Sequence, residues 1–281
     1  MGSSMRTFRL YDNDGNRYNI TSKDHAFFYG IDGLGYAQET QFQRIEDRYA
    51  LLDKHIAQNK IVGTIKFWQP GAELRFFNFA QFCQNGPLRM DYNPEYGTYS
   101  RNGIITKIEK SDGNGEPLTV KIEFTAQTPW YKNVKRYNDG TLEGGKVYNY
   151  TYDYTYLQSA RNTVTVDSDS YQSSPVRLVV LGPAVNPSWR HYLNNELVTE
   201  GKVNGTVLAN NRLIIDTTSI PYSIKQVNQL GELVSDMYQQ SDFSKNRFVR
   251  FGHGRNTVTF SADNTNILTV GVEAQIEYAT L

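Results

Sequence analysis

The residues of this chain best able to do chemistry are its four histidines, His25, His55, His191 and His253, its single cysteine, Cys83, and five tyrosines at every second position. No two histidines stand at metal-ligand spacing, and no HExxH-like arrangement occurs. His191 follows Trp189-Arg190 in a strand-like run and reads as a packed or edge histidine, while His253 sits in a Gly-His-Gly turn. Cys83 has no cysteine or histidine beside it to activate a thiolate, and one cysteine cannot form an intrachain disulfide or a cysteine-based zinc site. No nucleophile elbow and no phosphate-binding Walker loop is present. Asp12-Asn13-Asp14-Gly15 resembles part of a calcium loop but lacks the bidentate glutamate, so it reads as a turn. The glycines at 30, 33 and 35 read as loop glycines, not as a phosphate cradle.

Tyr148, Tyr150, Tyr152, Tyr154 and Tyr156 form the sharpest pattern. At period two their rings project from one face of a strand, with Asn149, Thr151, Asp153, Thr155 and Leu157 opposite. Such a face can stack on sugars, or it can pack a second sheet or subunit. A sugar site also needs polar groups converging from other loops, so packing is the expectation and these five are candidate interface residues.

Composition sets the limits around these residues. Lys plus Arg equals Asp plus Glu at 29 each, which argues against a chain built to coat nucleic acid. No apolar run approaches the ~20 residues of a membrane helix, and the first residues lack a signal-peptide pattern. With 20 Tyr and 14 Phe the chain favours strands over helices.

The elements follow from periodicity. Leu118, Val120, Ile122 and Phe124 alternate with Lys121 and Glu123 turned to water, and with TKIEK (106–110) and the SDGNG turn they predict a half-buried hairpin. Residues 71–85 predict the helix, opened by Pro70-Gly71, stopped by Gly86-Pro87, with Leu74, Phe77, Phe82 and Cys83 as its apolar face. Phe42, Ile45, Tyr49, Leu52 and Ile56 are spaced as on a helix, yet the segment 38–58 leads into IVGTIKFW (61–68) and is read as strands. Residues 132–146 carry charge, Gly and Asn with little apolar content, which marks a linker or an exposed boundary. Beyond it, short strands with turns at Gly182-Pro183, Asn186-Pro187, Asn204-Gly205 and Asn210-Asn211 suggest a sandwich or jelly roll.

The segment from Thr106 to Tyr131, a strand pair ending in Thr-Pro-Trp-Tyr, resembles the end of the N-terminal domain in the distal tail proteins of long-tailed phages infecting Gram-positive bacteria. Ile61–Phe67, the helix near Leu74–Cys83 and LRMDY (88–92) are similar in order to that family's ring-forming domain, and GPAVNPSW, RLIID and RFVRFGHGRNTVTF resemble its galectin-like domain. The resemblance implies a mainly β chain of two β-sandwich-like domains: a ring-forming domain with one short helix at 5–131, a linker at 132–146, and a galectin-like jelly roll at 147–281. It implies a structural role without enzymatic activity or cofactor, as a homohexameric hub at the distal end of the virion's tail. That hub would join the tail tube protein to the tail-tip and receptor-binding proteins around a channel for DNA, with no membrane and no sequence-specific nucleic-acid contact. The alternative is a carbohydrate-binding β-sandwich protein recognising host cell-wall saccharide through the tyrosine face or Trp189.

Overall fold

The computed structural model of the chain describes residues 6–22, 26–111, 117–138, 162–265 and 267–281. It divides into two compact units, Met1–Lys132 with Tyr278–Leu281, and Asn133–Glu277. Both are mainly β, and the described residues contain one α-helix.

The first unit opens with β1 (Thr7–Tyr11), which buries Phe8 and Leu10 on alternate positions. Asp12 turns the chain, its Oδ1 accepting from the backbone N–H groups of Asp14 at 3.0 Å and Asn16 at 2.8 Å, and this is the local work of the DNDG sequence. Then come β2 (Arg17–Asn19), β3 (Thr21–Ser22), β4 (Ala26–Asp32), β5 (Gln38–Ile45), β6 (Arg48–Ile56) and β7 (Lys60–Phe67). After the helix α1 (Ala72–Cys83) follow β8 (Leu88–Asn93), β9 (Tyr99–Lys110), β10 (Leu118–Ala126) and β11 (Trp130–Asn138). The sheet runs β2–β1–β8–β9–β10–β7–β4–β3, all antiparallel, and β5–β6 stand apart as a sheet of their own. Val120, Ile122 and Phe124 of β10 are buried against Ile61, Ile65 and Phe67 of β7, as their alternation predicts. Phe8 stacks on Tyr92 at 4.5 Å and meets the edge of Phe28 at 5.4 Å.

The helix lies where its punctuation predicts, but its face differs. Leu74 and Phe77 are exposed, whereas Ala72 and Phe79 are buried and Phe76, Phe82 and Cys83 pack against the core. Positions 72, 76, 79 and 83 make a true 3.6-residue stripe, and Leu74 and Phe77 fall off it. Residues 132–138 also differ from the expected linker: they continue β11, with the boundary between units inside that strand. Residues 139–146 lie outside the described residues. Asn133, Lys135, Arg136 and Tyr137 are exposed, so low apolar content here marks an exposed strand and not an absence of structure.

The second unit contains β12 (Thr163–Ser168), β13 (Ser174–Leu181), β14 (Ala184–Val185), β15 (Ser188–Leu193), β16 (Glu196–Lys202), β17 (Thr206–Val207), β18 (Arg212–Asp216), β19 (Ser223–Val227), β20 (Leu233–Asp236), β21 (Arg250–Phe251), β22 (Gly254–Ser261) and β23 (Val270–Tyr278). One sheet includes the run β20–β19–β18–β13–β23, and a second has the order β12–β22–β15–β16. Its core includes Leu178, Val180, Trp189, Leu213, Ile215, Val258 and Val272, each buried. Trp189 packs so closely on β16 that a Cβ at Gly201 would lie 2.3 Å from its ring, which fixes glycine there. Arg177 is ion-paired with the buried Asp216, its Nε and Nη2 both donating to Oδ2 at 3.0 and 2.8 Å.

Candidate functional site

The β5–β6 hairpin gathers five exposed large apolar side chains within residues 42–52. Among the described residues its strands pair only with each other, from Gln38↔Ile56 to Ile45↔Arg48, around a bulge that leaves Leu52 without a cross-strand partner. Phe42 sits opposite Leu51 and Arg44 opposite Tyr49, so Phe42, Leu51 and Tyr49 share one face. They are 56, 52 and 69% exposed, and Ile45 and Leu52 are likewise open to water. A lone two-stranded hairpin is marginal in water, and clustered exposed apolar side chains mark an interaction surface.

Its base is tied down. Ala57 N–H donates to the Ala37 carbonyl at 2.9 Å, and Asn59 Nδ2 donates to the Gly33 carbonyl at 2.9 Å. Gly33 has φ of 86°, and a Cβ there would stand 1.9 Å from the Lys60 carbonyl oxygen, so the glycine that the sequence offered as a loop residue lets two backbones cross. At the tip Glu46 takes φ of 53° and its carbonyl accepts from Arg44 Nε at 2.8 Å, while Arg44 also reaches Asp47 at 3.6 Å. Midway, His55 bridges Glu39 across the strands (Nε2 to Oε2, 3.0 Å) and Asp53 on its own strand (Nδ1 to Oδ2, 3.2 Å). Hydrogen bonding to Asp53, then to Glu39, holds its pKa above the usual histidine value.

The sequence-derived candidates are dispersed. Tyr148, Tyr150, Tyr152, Tyr154 and Tyr156 lie outside the described residues, as does His25. Trp189 is buried at 1% exposure, its Nε1 donating to the Arg247 carbonyl at 3.0 Å, so it is closed to a sugar ring. His191 is fully buried with Nε2 3.1 Å from Asn256 Oδ1, and burial pushes its pKa down. His253 stacks on the exposed Tyr171, ring centroids 4.0 Å apart. Cys83 is half-buried, and burial pushes its thiol up to about 12. Among the described residues no three His, Cys, Asp or Glu side chains are grouped to hold a metal ion. No helix there is long and apolar enough to cross a membrane. The hairpin was missed as a site because nothing in its sequence tells exposed apolar residues from buried ones.

Residues 7–127, the part of the chain bearing the hairpin, match the family model for the distal tail protein, N-terminal domain. No curated protein sequence matches the chain. Among solved structures the chain is similar to one in the phage P2 baseplate in its activated conformation with Ca, at 13% identity and a TM-score of 0.66, over 99% of this chain and 100% of that one. It is also similar to SPP1 Dit, described as a paradigm of the hub adsorption apparatus in phages infecting Gram-positive bacteria, at 12% identity and a TM-score of 0.61, over 95% of this chain and 98% of that one. At these identities the two structures speak to the fold alone, and it is the match at 7–127 that names a relationship: that stretch of the chain is similar to the N-terminal domain of distal tail proteins.

Proposed function

We propose that the chain is a structural hub of a phage tail tip, located at the distal end of the tail, which assembles as a homohexameric ring around a channel for DNA. The ring would connect the tail tube protein to the tail-tip and receptor-binding proteins. One observation carries the reading: the β5–β6 hairpin, within the matched N-terminal domain, exposes Phe42, Leu51 and Tyr49 on one face with no further partner strand among the described residues. A closed ring requires head-to-tail contacts, in which a projecting element of one copy covers a different surface of the next. The hairpin supplies such an element. A galectin-like C-terminal domain, expected at 147–281, is part of the same proposal and is supported by the antiparallel sheets of the second unit and the length of the structural similarity.

Light-scattering mass of the full chain over a range of concentrations tests this. The expected result is a hexamer, reduced to monomer when residues 38–56 are replaced by a short Gly-Ser turn. A hexamer that survives this replacement would remove the hairpin from the interface.

A further inference from the structure

The buried carboxylates Asp91 and Asp216 each pair with an arginine, and the buried Asp12 accepts hydrogen bonds from its own turn. Arg101, in β9, is only 4% exposed, yet among the described residues no carboxylate lies within ion-pair distance of it. Its Nε donates to the Thr128 carbonyl at 2.7 Å, and its Nη1 is buried without an acceptor. Its pKa is lowered to about 10, and burial is the whole cause, with no neighbouring charge contributing. Its Cζ stands 5.4 Å from the ring centre of Trp130, whose Nε1 is likewise buried and without an acceptor. Arg177 shows the ordinary solution, two charge-assisted hydrogen bonds to a buried carboxylate.

An unpaired buried guanidinium is costly, and such a group persists where something supplies its counter-charge. Arg101 lines an open cavity of about 260 Å3 with Gln58, Gln127, Thr128 and Pro129, large enough for a carboxylate side chain. The cavity is beside Ile56–Asn59, at the foot of the hairpin, in the same unit. The hairpin's tip is therefore distant from it: strands of eight and nine residues at ~3.3 Å per residue reach roughly 25–30 Å. At that tip Glu46, which has a left-handed backbone, is exposed and makes no ion pair among the described residues.

We infer that the Arg101 cavity is a carboxylate receptor, and that its occupant is Glu46 at the hairpin tip of a second copy of this chain. The inference rests on the head-to-tail ring proposed above and gives that ring its register: tip of one copy to hairpin foot of the next. Asp47, already engaged by Arg44, is not the occupant. Arginine suits the role because its planar fork takes a carboxylate by two parallel hydrogen bonds, and the burial of Arg101 strengthens the pair.

The test is the self-association of the full chain, wild type against Glu46→Gln, Asp47→Asn and Arg101→Met, followed by light scattering with thermal melting alongside. Glu46→Gln should weaken association roughly tenfold or more while the melting of the dissociated chain is unchanged, and Asp47→Asn should have little effect. Arg101→Met should weaken association similarly while leaving the dissociated chain at least as stable, because an apolar side chain removes an unpaired buried charge; a merely structural arginine would give the opposite sign in melting. If wild type assembles and both Glu46→Gln and Arg101→Met assemble equally well, the receptor is overturned and the ring stands. If association is lost in Arg101→Met alone, the cavity takes a carboxylate other than Glu46 and the assigned occupant is overturned. A wild-type chain that stays monomeric at every concentration overturns the ring and the second copy as occupant together.

Discussion

Two antiparallel hairpins of the first unit are close in length and opposite in fate. In β9–β10, Val120, Ile122 and Phe124 alternate with Lys121 and Glu123, and every apolar one of them is buried. In β5–β6 the apolar residues Phe42, Ile45, Tyr49, Leu51 and Leu52 follow no period of two, and all are more than half exposed. The first hairpin is a wall of a core and the second is a surface awaiting one. A strand's side-chain pattern is imposed by what lies on either side of it, so only a strand with one wet and one dry face must alternate.

The comparison is sharpest when one ring is removed from each hairpin. Phe124→Ala should cost about 3–5 kcal/mol of folding stability, since the side chain is fully buried and the space cannot easily collapse. Phe42→Ala should change the stability of the dissociated chain by no more than ~0.5 kcal/mol, as expected of a surface substitution. Denaturant unfolding of both variants checks this; equal losses would mean that the hairpin folds back onto its own unit.

A smaller effect should appear where the exposed hairpin joins the core. Gly33→Ala combines a positive φ with a Cβ driven into the Lys60 carbonyl, and should cost roughly 1–3 kcal/mol. Gly30→Ala is the control: its φ is also positive, at 61°, but nothing stands within 4 Å of the new Cβ. Thermal melting that fails to separate the two would mean that the crossing of backbones at Lys60 does not matter.

Next in size is the face itself. Leu51→Ser and Tyr49→Ser, both exposed, should leave the melting of the dissociated chain within ~0.5 kcal/mol while reducing self-association, because only the assembled protein buries them. Sedimentation velocity at matched concentrations reads this directly. Retained association in the double variant would place the interface elsewhere on the chain.

These contrasts also explain what was legible in the sequence. Leu118–Phe124 announced their strand and its buried face because a core enforces the period, and DNDG announced its turn because Asp12 makes the bonds itself. Pro70-Gly71 and Gly86-Pro87 bracketed the helix, but the number of aromatic residues between them blurred which stripe was buried, and Leu74 and Phe77 were misassigned. Strand β11 was hidden by its own charges, since the adjacent Lys135 and Arg136 are both exposed and leave no apolar alternation to read. Arg101 gave no signal at all. Its interest lies in the carboxylate that is missing around it, and an absent neighbour in space has no counterpart in a linear sequence.

The smallest expected effect distinguishes the hairpins by pH. Nothing in β9–β10 carries a histidine, whereas His55 bridges Glu39 and Asp53 across β5–β6. Its folded pKa is raised above the ordinary value near 6.5, so the charged imidazole favours the paired hairpin. The contribution is therefore fully present below the unfolded pKa and is lost as pH rises through the folded one, the reverse of a salt-bridged carboxylate. Because the group is exposed, salt should weaken the effect further. Amide exchange across Gln38–Ile56, corrected for its intrinsic pH dependence, should show greater protection at pH 5.5 than at pH 8.5, and His55→Gln should abolish the difference. Protection that rises with pH instead would mean that the carboxylates, and not the imidazole, govern how the hairpin is held.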